Sequence, residues 1–135
     1  MELHERIKRA GKVMLIGNGG SYATSQHWAN DLLSCGILAY TMDVATFSAF
    51  SNDFGYYKAF EKWVGICGRK GDLLIALSGS GKSPNILKAC EEAERIGMDV
   101  YRLFGAELGQ DMSTAENHQL VVCHELRKAL FLDRR

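Results

Sequence analysis

Two short glycine- and serine-rich stretches and one histidine–carboxylate pair carry the chemistry this sequence offers. Gly17-Asn18-Gly19-Gly20-Ser21 follows the apolar run Val13-Met14-Leu15-Ile16, and Ser78-Gly79-Ser80-Gly81-Lys82-Ser83 follows the apolar residues 73–77. Each stretch precedes a segment that reads as a helix. A turn of this kind points several backbone N–H groups outward, and the helix dipole favours an anion at that place. Glycine lets the backbone come close to a phosphate, and serine hydroxyls add donors. His27 and Asp31 stand four positions apart on the helix that follows the first loop, so they share one face. That spacing suits two ligands of one metal or a base beside its partner; an ordinary exposed helix contact is the plain alternative.

The ending Gly81-Lys82-Ser83 raises the question of a nucleotide-binding P-loop. The loose pattern is met if Ala76 takes the first position, but Ala76 lies inside the apolar strand, so the loop proper is too short. Pro84 follows Ser83 directly, which makes Ser83 the N-cap and leaves Lys82 ahead of the helix. A P-loop lysine belongs to the helix's first turn, and no later strand ends in an aspartate placed for magnesium. The first loop also fails as a dinucleotide fingerprint, because the third glycine would fall on Tyr22. No nucleotide cofactor is expected.

The elements that must position these loops follow from the apolar pattern. A short helix over 2–10 precedes the strand at 13–16; a helix then runs to about Leu33, and 37–42 reads as a second strand. Between 44 and 67 the apolar residues recur every three or four positions, which predicts two helices interrupted by Ser51-Asn52-Asp53-Phe54-Gly55. Residues 72–77 form a third strand, and a helix from Ser83-Pro84 stops at Gly97. Strands at 100–103 and 120–123 complete the set, with a short helix near 112–116 between them. Alternating strands and helices with apolar strands predict an α/β fold, one doubly wound three-layer domain over 1–135.

Composition bounds the function. The 135 residues fit one domain, and 16 basic against 16 acidic residues give zero formal net charge, so no nucleic-acid surface is advertised. No apolar run approaches the roughly 18–20 residues that span a bilayer. The charged N-terminus lacks the apolar core of a secretory signal. Cys35, Cys67, Cys90 and Cys123 form no CxxC pair and read as small hydrophobes in a reducing compartment. A cytoplasmic protein that binds neither nucleic acid nor membrane is expected.

The segments GNGGSYATSQHWANDL, SNDFG and LLIALSGSGKSPNILKACEEAERIGM resemble the sugar isomerase (SIS) domain family, and within it the phosphoheptose isomerases, over about residues 12–110. The resemblance implies a five-stranded parallel sheet of flavodoxin-like order, a homo-oligomer (dimer or tetramer) and a phosphorylated sugar as ligand. By position, Asn18, Gly19, Gly20 and Ser21 match the family's first substrate loop, and Asn52 and Asp53 its middle pair. Ser78, Gly79, Ser80 and Ser83 lie in its phosphate loop, from which this chain departs at Gly79 and Lys82. His27 matches a histidine zinc ligand, and Asp31 stands where the family has a glutamate that binds zinc and moves a proton. His27 and Asp31 are thus the expected catalytic and metal residues, with zinc the implied ion.

Two departures bear on activity. Asp31 is one methylene shorter than glutamate, and a retraction of about 1 Å at a reacting group can cost on the order of 100-fold in rate. The resemblance implies a final long helix carrying a glutamine and a histidine of the zinc site, whereas this chain is expected to have shortened N- and C-terminal helices and to lack both residues; His124 and Glu125 are stand-ins whose place just after the last strand does not match. Aldose–ketose isomerisation needs a second acid/base, for which His27 and His124 are the candidates. The sequence therefore supports a phosphosugar isomerase resembling the sedoheptulose 7-phosphate enzymes, with a non-catalytic SIS module that binds a sugar phosphate or scaffolds an oligomer as the alternative.

Overall fold

Val13, Met14, Leu15 and Ile16 are all fully buried, which requires a strand covered on both faces. This strand, β1 (Val13–Ile16), sits at the middle of a computed structural model that describes residues 1–133, with side chains to residue 131. Helices α1 (Leu3–Arg9) and α2 (Gly20–Ser34) flank it in sequence. Strand β2 (Ala39–Thr41) leads to α3 (Val44–Phe54), a single 3-10 turn at Tyr56–Lys58 and α4 (Ala59–Cys67). Strand β3 (Leu73–Ser78), α5 (Pro84–Arg95) and β4 (Asp99–Phe104) follow, and the chain closes with α6 (Met112–Asp133).

The sheet is parallel, in the order β2-β1-β3-β4. Alternate residues of β1 serve opposite layers: Val13 and Leu15 pack with Trp28, Leu32, Cys123 and Leu126, while Met14 and Ile16 pack with Phe60, Trp63, Ile86 and Ala89. Helices α1, α2 and α6 thus cover one face and α4 and α5 the other, the expected three-layer, doubly wound arrangement. β1 pairs with β3 in register, Val13 opposite Leu73 and Ile16 opposite Ala76. The winding reverses between these two strands, so the loops leaving them open a crevice at a topological switch point.

Two expectations are corrected. Residues 120–123 are not a fifth strand; they lie inside α6, and the sheet has four strands among the described residues. A four-residue apolar run does not distinguish a buried strand from a helix. The wider spacing does: Ala115, Gln119, Cys123, Leu126 and Leu130 are buried at intervals of three or four, while Val121 is 55% exposed. The segment SNDFG also does not interrupt the helices as a whole, since 51–54 complete α3 and only Gly55, at φ 95°, breaks the chain direction.

Candidate functional site

The two glycine-serine loops meet across the switch point. The Asn18 and Asn85 side chains hydrogen-bond reciprocally, each amide nitrogen donating to the other's oxygen at 2.9 Å. Asn85 is fully buried in the first turn of α5, so the first loop is tied to the helix that the second loop begins. A cleft of about 50 Å³ lies between them, lined by Asn18, Ser21, Leu77, Ser78, Gly79, Ser80, Ser83 and Met112. That is room for the charged end of a ligand, not for a whole sugar.

Two of the loop's hydroxyls, Ser78 and Ser80, accept backbone hydrogen bonds, and Ser80 Oγ and Ser83 Oγ lie 3.5 Å apart, so one of these two donates to the other. Gly81 N–H donates to Ser78 Oγ at 2.9 Å, and Lys82 N–H donates to Ser80 Oγ at 3.1 Å. A serine hydroxyl has one hydrogen and two lone pairs, so neither bond uses the O–H. Helices α2 and α5 both begin at the cleft, and their positive ends favour an anion there. Among the described residues no cation lines the cleft; Lys82 is exposed and stands two residues before α5, which removes the P-loop reading. A larger groove of about 560 Å³ lies at the opposite rim, against the N-terminal ends of β3 and β4, where Arg6 already pairs with Asp99 at 2.7 Å. Neither glycine-serine loop contributes to it.

Helix α6 lies along α2 and closes over both loops. Gly105 and Gly20 allow the approach: a Cβ on Gly105 would fall within clash distance of Ala115 Cβ, and one on Gly20 would lie 2.7 Å from Glu116 Oε1. Ser21 Oγ donates to Gln119 Oε1 at 3.0 Å, leaving the buried Gln119 Nε2 without a partner. Further along, the rings of His27 and His124 meet edge to face with centroids 5.6 Å apart. Asp31 is buried below them. Its Oδ2 is 3.4 Å from His27 Nε2 and 3.5 Å from Cys123 Sγ, and its Oδ1 is 3.8 Å from Arg127 Nε. Burial first, and then the Asp31 carboxylate, push the Cys123 thiol up to about 12, with Arg127 opposing. The thiol is therefore protonated and donates to Asp31. Nitrogen, oxygen and sulfur atoms of His27, Asp31 and Cys123 lie within 4.8 Å of one another, a donor set of the kind that zinc takes.

The SIS domain family model matches residues 2–105. This chain belongs to the SIS domain family. The phosphoheptose isomerase of Burkholderia pseudomallei is 43% identical over 112 residues, covering 77% of this chain and 57% of that protein. That of Campylobacter jejuni is 38% identical over 128 residues, covering 89% of this chain and 68% of its own. The solved structure of a phosphoheptose isomerase from Francisella tularensis superposes with a TM-score of 0.85 at 28% identity, over 98% of this chain and 83% of that one. This SIS domain thus spans under two thirds of the Burkholderia protein's length.

Within this SIS domain the expected residues separate into three groups. Asn18, Ser21, Ser78, Gly79, Ser80 and Ser83 converge on the cleft, with Gly19 and Gly20 in the turn that starts α2. His27 and Asp31 are paired on α2, about two and three helical turns beyond Ser21. Asn52 and Asp53 do not join either group; they sit exposed at the end of α3, bonded to each other at 3.3 Å. Asn85, Gln119, Cys123 and Arg127 had no motif to announce them. Reading 120–123 as a strand displaced His124, which stands in mid-helix beside His27 instead of in a loop. A helix over the same stretch places Gln119, Cys123 and His124 along α2, a signal present in the three-and-four spacing of the apolar residues.

Proposed function

We propose that this SIS domain is a phosphosugar isomerase of the aldose–ketose type, acting on a seven-carbon ketose phosphate such as sedoheptulose 7-phosphate. The observation that carries the reading is the phosphate-sized cleft at the switch point, with the His27–Asp31 pair on the helix that leaves it and His124 beside that pair on α6. His27 stands six positions after Ser21, about 9 Å along a helix axis. An extended sugar chain anchored by its terminal phosphate spans a comparable distance to its first two carbons. The names of the matched relatives agree with such a substrate.

In this reading Ser78, Ser80, Ser83 and the backbone of both loops hold the phosphate, and Asn18 and Ser21 orient the chain. Isomerisation moves one proton between adjacent carbons and one between their oxygens. Asp31 takes the carbon-bound proton, and His27 or His124 serves the oxygens. The donor set around Asp31 fits a metal such as zinc, held by His27 and Asp31, which when bound polarises the carbonyl oxygen. Asn52 and Asp53 match the family's middle pair by position, but they lie apart from the cleft of the single chain and take no part in this reading.

The same reading has the protein work in the cytoplasm as a homo-oligomer. Four free cysteines agree with a reducing compartment. Helix α3 buries none of its residues although Val44 and Phe54 are 63% and 43% exposed, and Tyr56 and Tyr57 beyond it are as open. Such an apolar surface suits contact between copies. No helix among the described residues is long and apolar enough to cross a membrane.

The deciding experiment incubates purified protein with sedoheptulose 7-phosphate, with and without zinc, and follows aldose formation. Turnover that Ser80→Ala weakens through KM supports the proposal. Thermal stabilisation by the sugar phosphate without product removes the isomerase and leaves a phosphosugar-binding module; neither turnover nor stabilisation ends both readings.

A further inference from the structure

The buried Cys123 thiol hydrogen-bonds the buried Asp31 carboxylate, and the geometry points to a use for it. We propose that Cys123 is a metal ligand: its thiolate, His27 Nε2 and Asp31 Oδ2 form a mixed sulfur–nitrogen–oxygen site for a zinc-type ion. The separations carry this. Zinc bonds of about 2.0–2.1 Å to nitrogen or oxygen and about 2.3 Å to sulfur give tetrahedral edges of roughly 3.3–3.4 Å and 3.5 Å. The observed distances are 3.4 Å between His27 Nε2 and Asp31 Oδ2 and 3.5 Å between Cys123 Sγ and Asp31 Oδ2. All three donor atoms lie within 4.8 Å of one another, and the His27 ring that supplies the nitrogen is half exposed.

The carboxylate is already divided for this role. Oδ2 faces the nitrogen and the sulfur, whereas Oδ1 faces Arg127 at 3.8 Å. An ion on Oδ2 leaves Oδ1 to the guanidinium, an outer partner that holds the ligand's orientation. Cys123 and Asp31 are buried and His27 opens to solvent, so three protein donors leave a fourth, outward position, the pattern of an open site. Binding forms the metal–sulfur bond, and the thiol proton leaves to water. A soft sulfur donor selects zinc or cobalt(II) over magnesium or calcium.

Cobalt(II) titrated into the whole chain reads the site directly, by absorption and not by turnover. The expected result is one cobalt per chain, visible ligand-field bands and an intense thiolate charge-transfer band in the near ultraviolet. Cys123→Ser must remove the charge-transfer band. His27→Ala, at a half-exposed position where folding is safe, must weaken cobalt binding by more than the roughly 10–100-fold loss typical of an outer partner. Ligand-field bands without charge transfer, a charge-transfer band that survives Cys123→Ser, unchanged affinity in His27→Ala, or no bound cobalt overturns the inference. A chain that shows the thiolate band yet leaves sedoheptulose 7-phosphate unchanged keeps this site and loses only the isomerase reading.

Discussion

Asn18 and Asn85 hold each other by two 2.9 Å hydrogen bonds across the gap between the two phosphate-type loops. Asn85 Oδ1 also accepts from Ile86 N–H at 3.0 Å, so this oxygen anchors both a neighbouring loop and its own helix start. Strand order brings the loops side by side, and this amide pair fixes their separation. The cleft therefore depends on a contact between residues 67 positions apart in sequence.

Breaking that pair should cost stability and ligand binding together. Asn85→Ala removes a fully buried amide and strands the Asn18 donor and acceptor, an expected loss of about 1–3 kcal/mol. A double-mutant cycle with Asn18→Ala, read by urea unfolding, should return a coupling of roughly 0.5–3 kcal/mol. Additive single effects would mean that the two side chains do not support each other.

Two glycines under α6 should behave differently when given a methyl group. At Gly105 the new Cβ meets Ala115 Cβ, which yields only if α6 moves, and lies 3.1 Å from the Gly79 carbonyl oxygen, which yields only if the loop after β3 moves. At Gly79 it meets the Met112 thioether, the loose end of a half-exposed side chain that swings aside. Gly105→Ala should lose about 1–3 kcal/mol by overpacking, and Gly79→Ala clearly less. Equal losses in thermal denaturation would show that α6 does not press on the β4 end.

The loops, the buried strands and the His27–Asp31 pair were legible because each is a local pattern. A continuous apolar run before Gly17 specifies a doubly covered strand, and glycine with serine before a helix specifies an anion turn. The C-terminal segment was not legible in the same way. Leu120-Val121-Val122-Cys123 satisfies either a strand or a helix over its own length, and tertiary packing chose the helix by burying Ala115, Gln119, Cys123 and Leu126 against α2. With the helix misread, the neighbours of Asp31 were hidden. Asn52 and Asp53 show the opposite limit, since a matching motif did not bring them to the cleft.

Acid stability should carry the signature of Asp99. Hydrogen bonds from the Arg6 guanidinium, at 2.8 and 2.7 Å, hold its carboxyl below the ordinary carboxylate value. A group depressed on folding contributes fully above its unfolded value of about 3.9 and loses that contribution as pH falls through the lower folded value. The pair is half exposed, so the contribution is at most about 1 kcal/mol. Asp99→Asn should be weaker than the parent by that amount at neutral pH and equal to it once the carboxyl is protonated. A deficit that persists unchanged in acid would assign the effect to packing.

The Ser21–Gln119 pair predicts an asymmetry that separates hydrogen bonding from mere burial. Gln119 is buried with its nitrogen unpartnered, and its oxygen accepts from Ser21 at 3.0 Å. Ser21→Ala leaves a whole amide unsatisfied beneath α6, which should cost about 1–3 kcal/mol, because a stranded buried group loses its hydration without return. Gln119→Leu removes the unpaired nitrogen along with the oxygen, at similar volume. The freed Ser21 hydroxyl lines the cleft, where water reaches it. Its net cost should therefore be smaller, within about 1 kcal/mol of the parent. Ligand binding should follow the same order if Ser21 orients the sugar, because Ser21→Ala deletes the contact and Gln119→Leu only loosens it. Urea unfolding and thermal shift with sedoheptulose 7-phosphate measure the two properties separately. A Gln119→Leu protein less stable than Ser21→Ala would mean that the amide nitrogen has a partner, such as a bound water, that the side chain is there to hold.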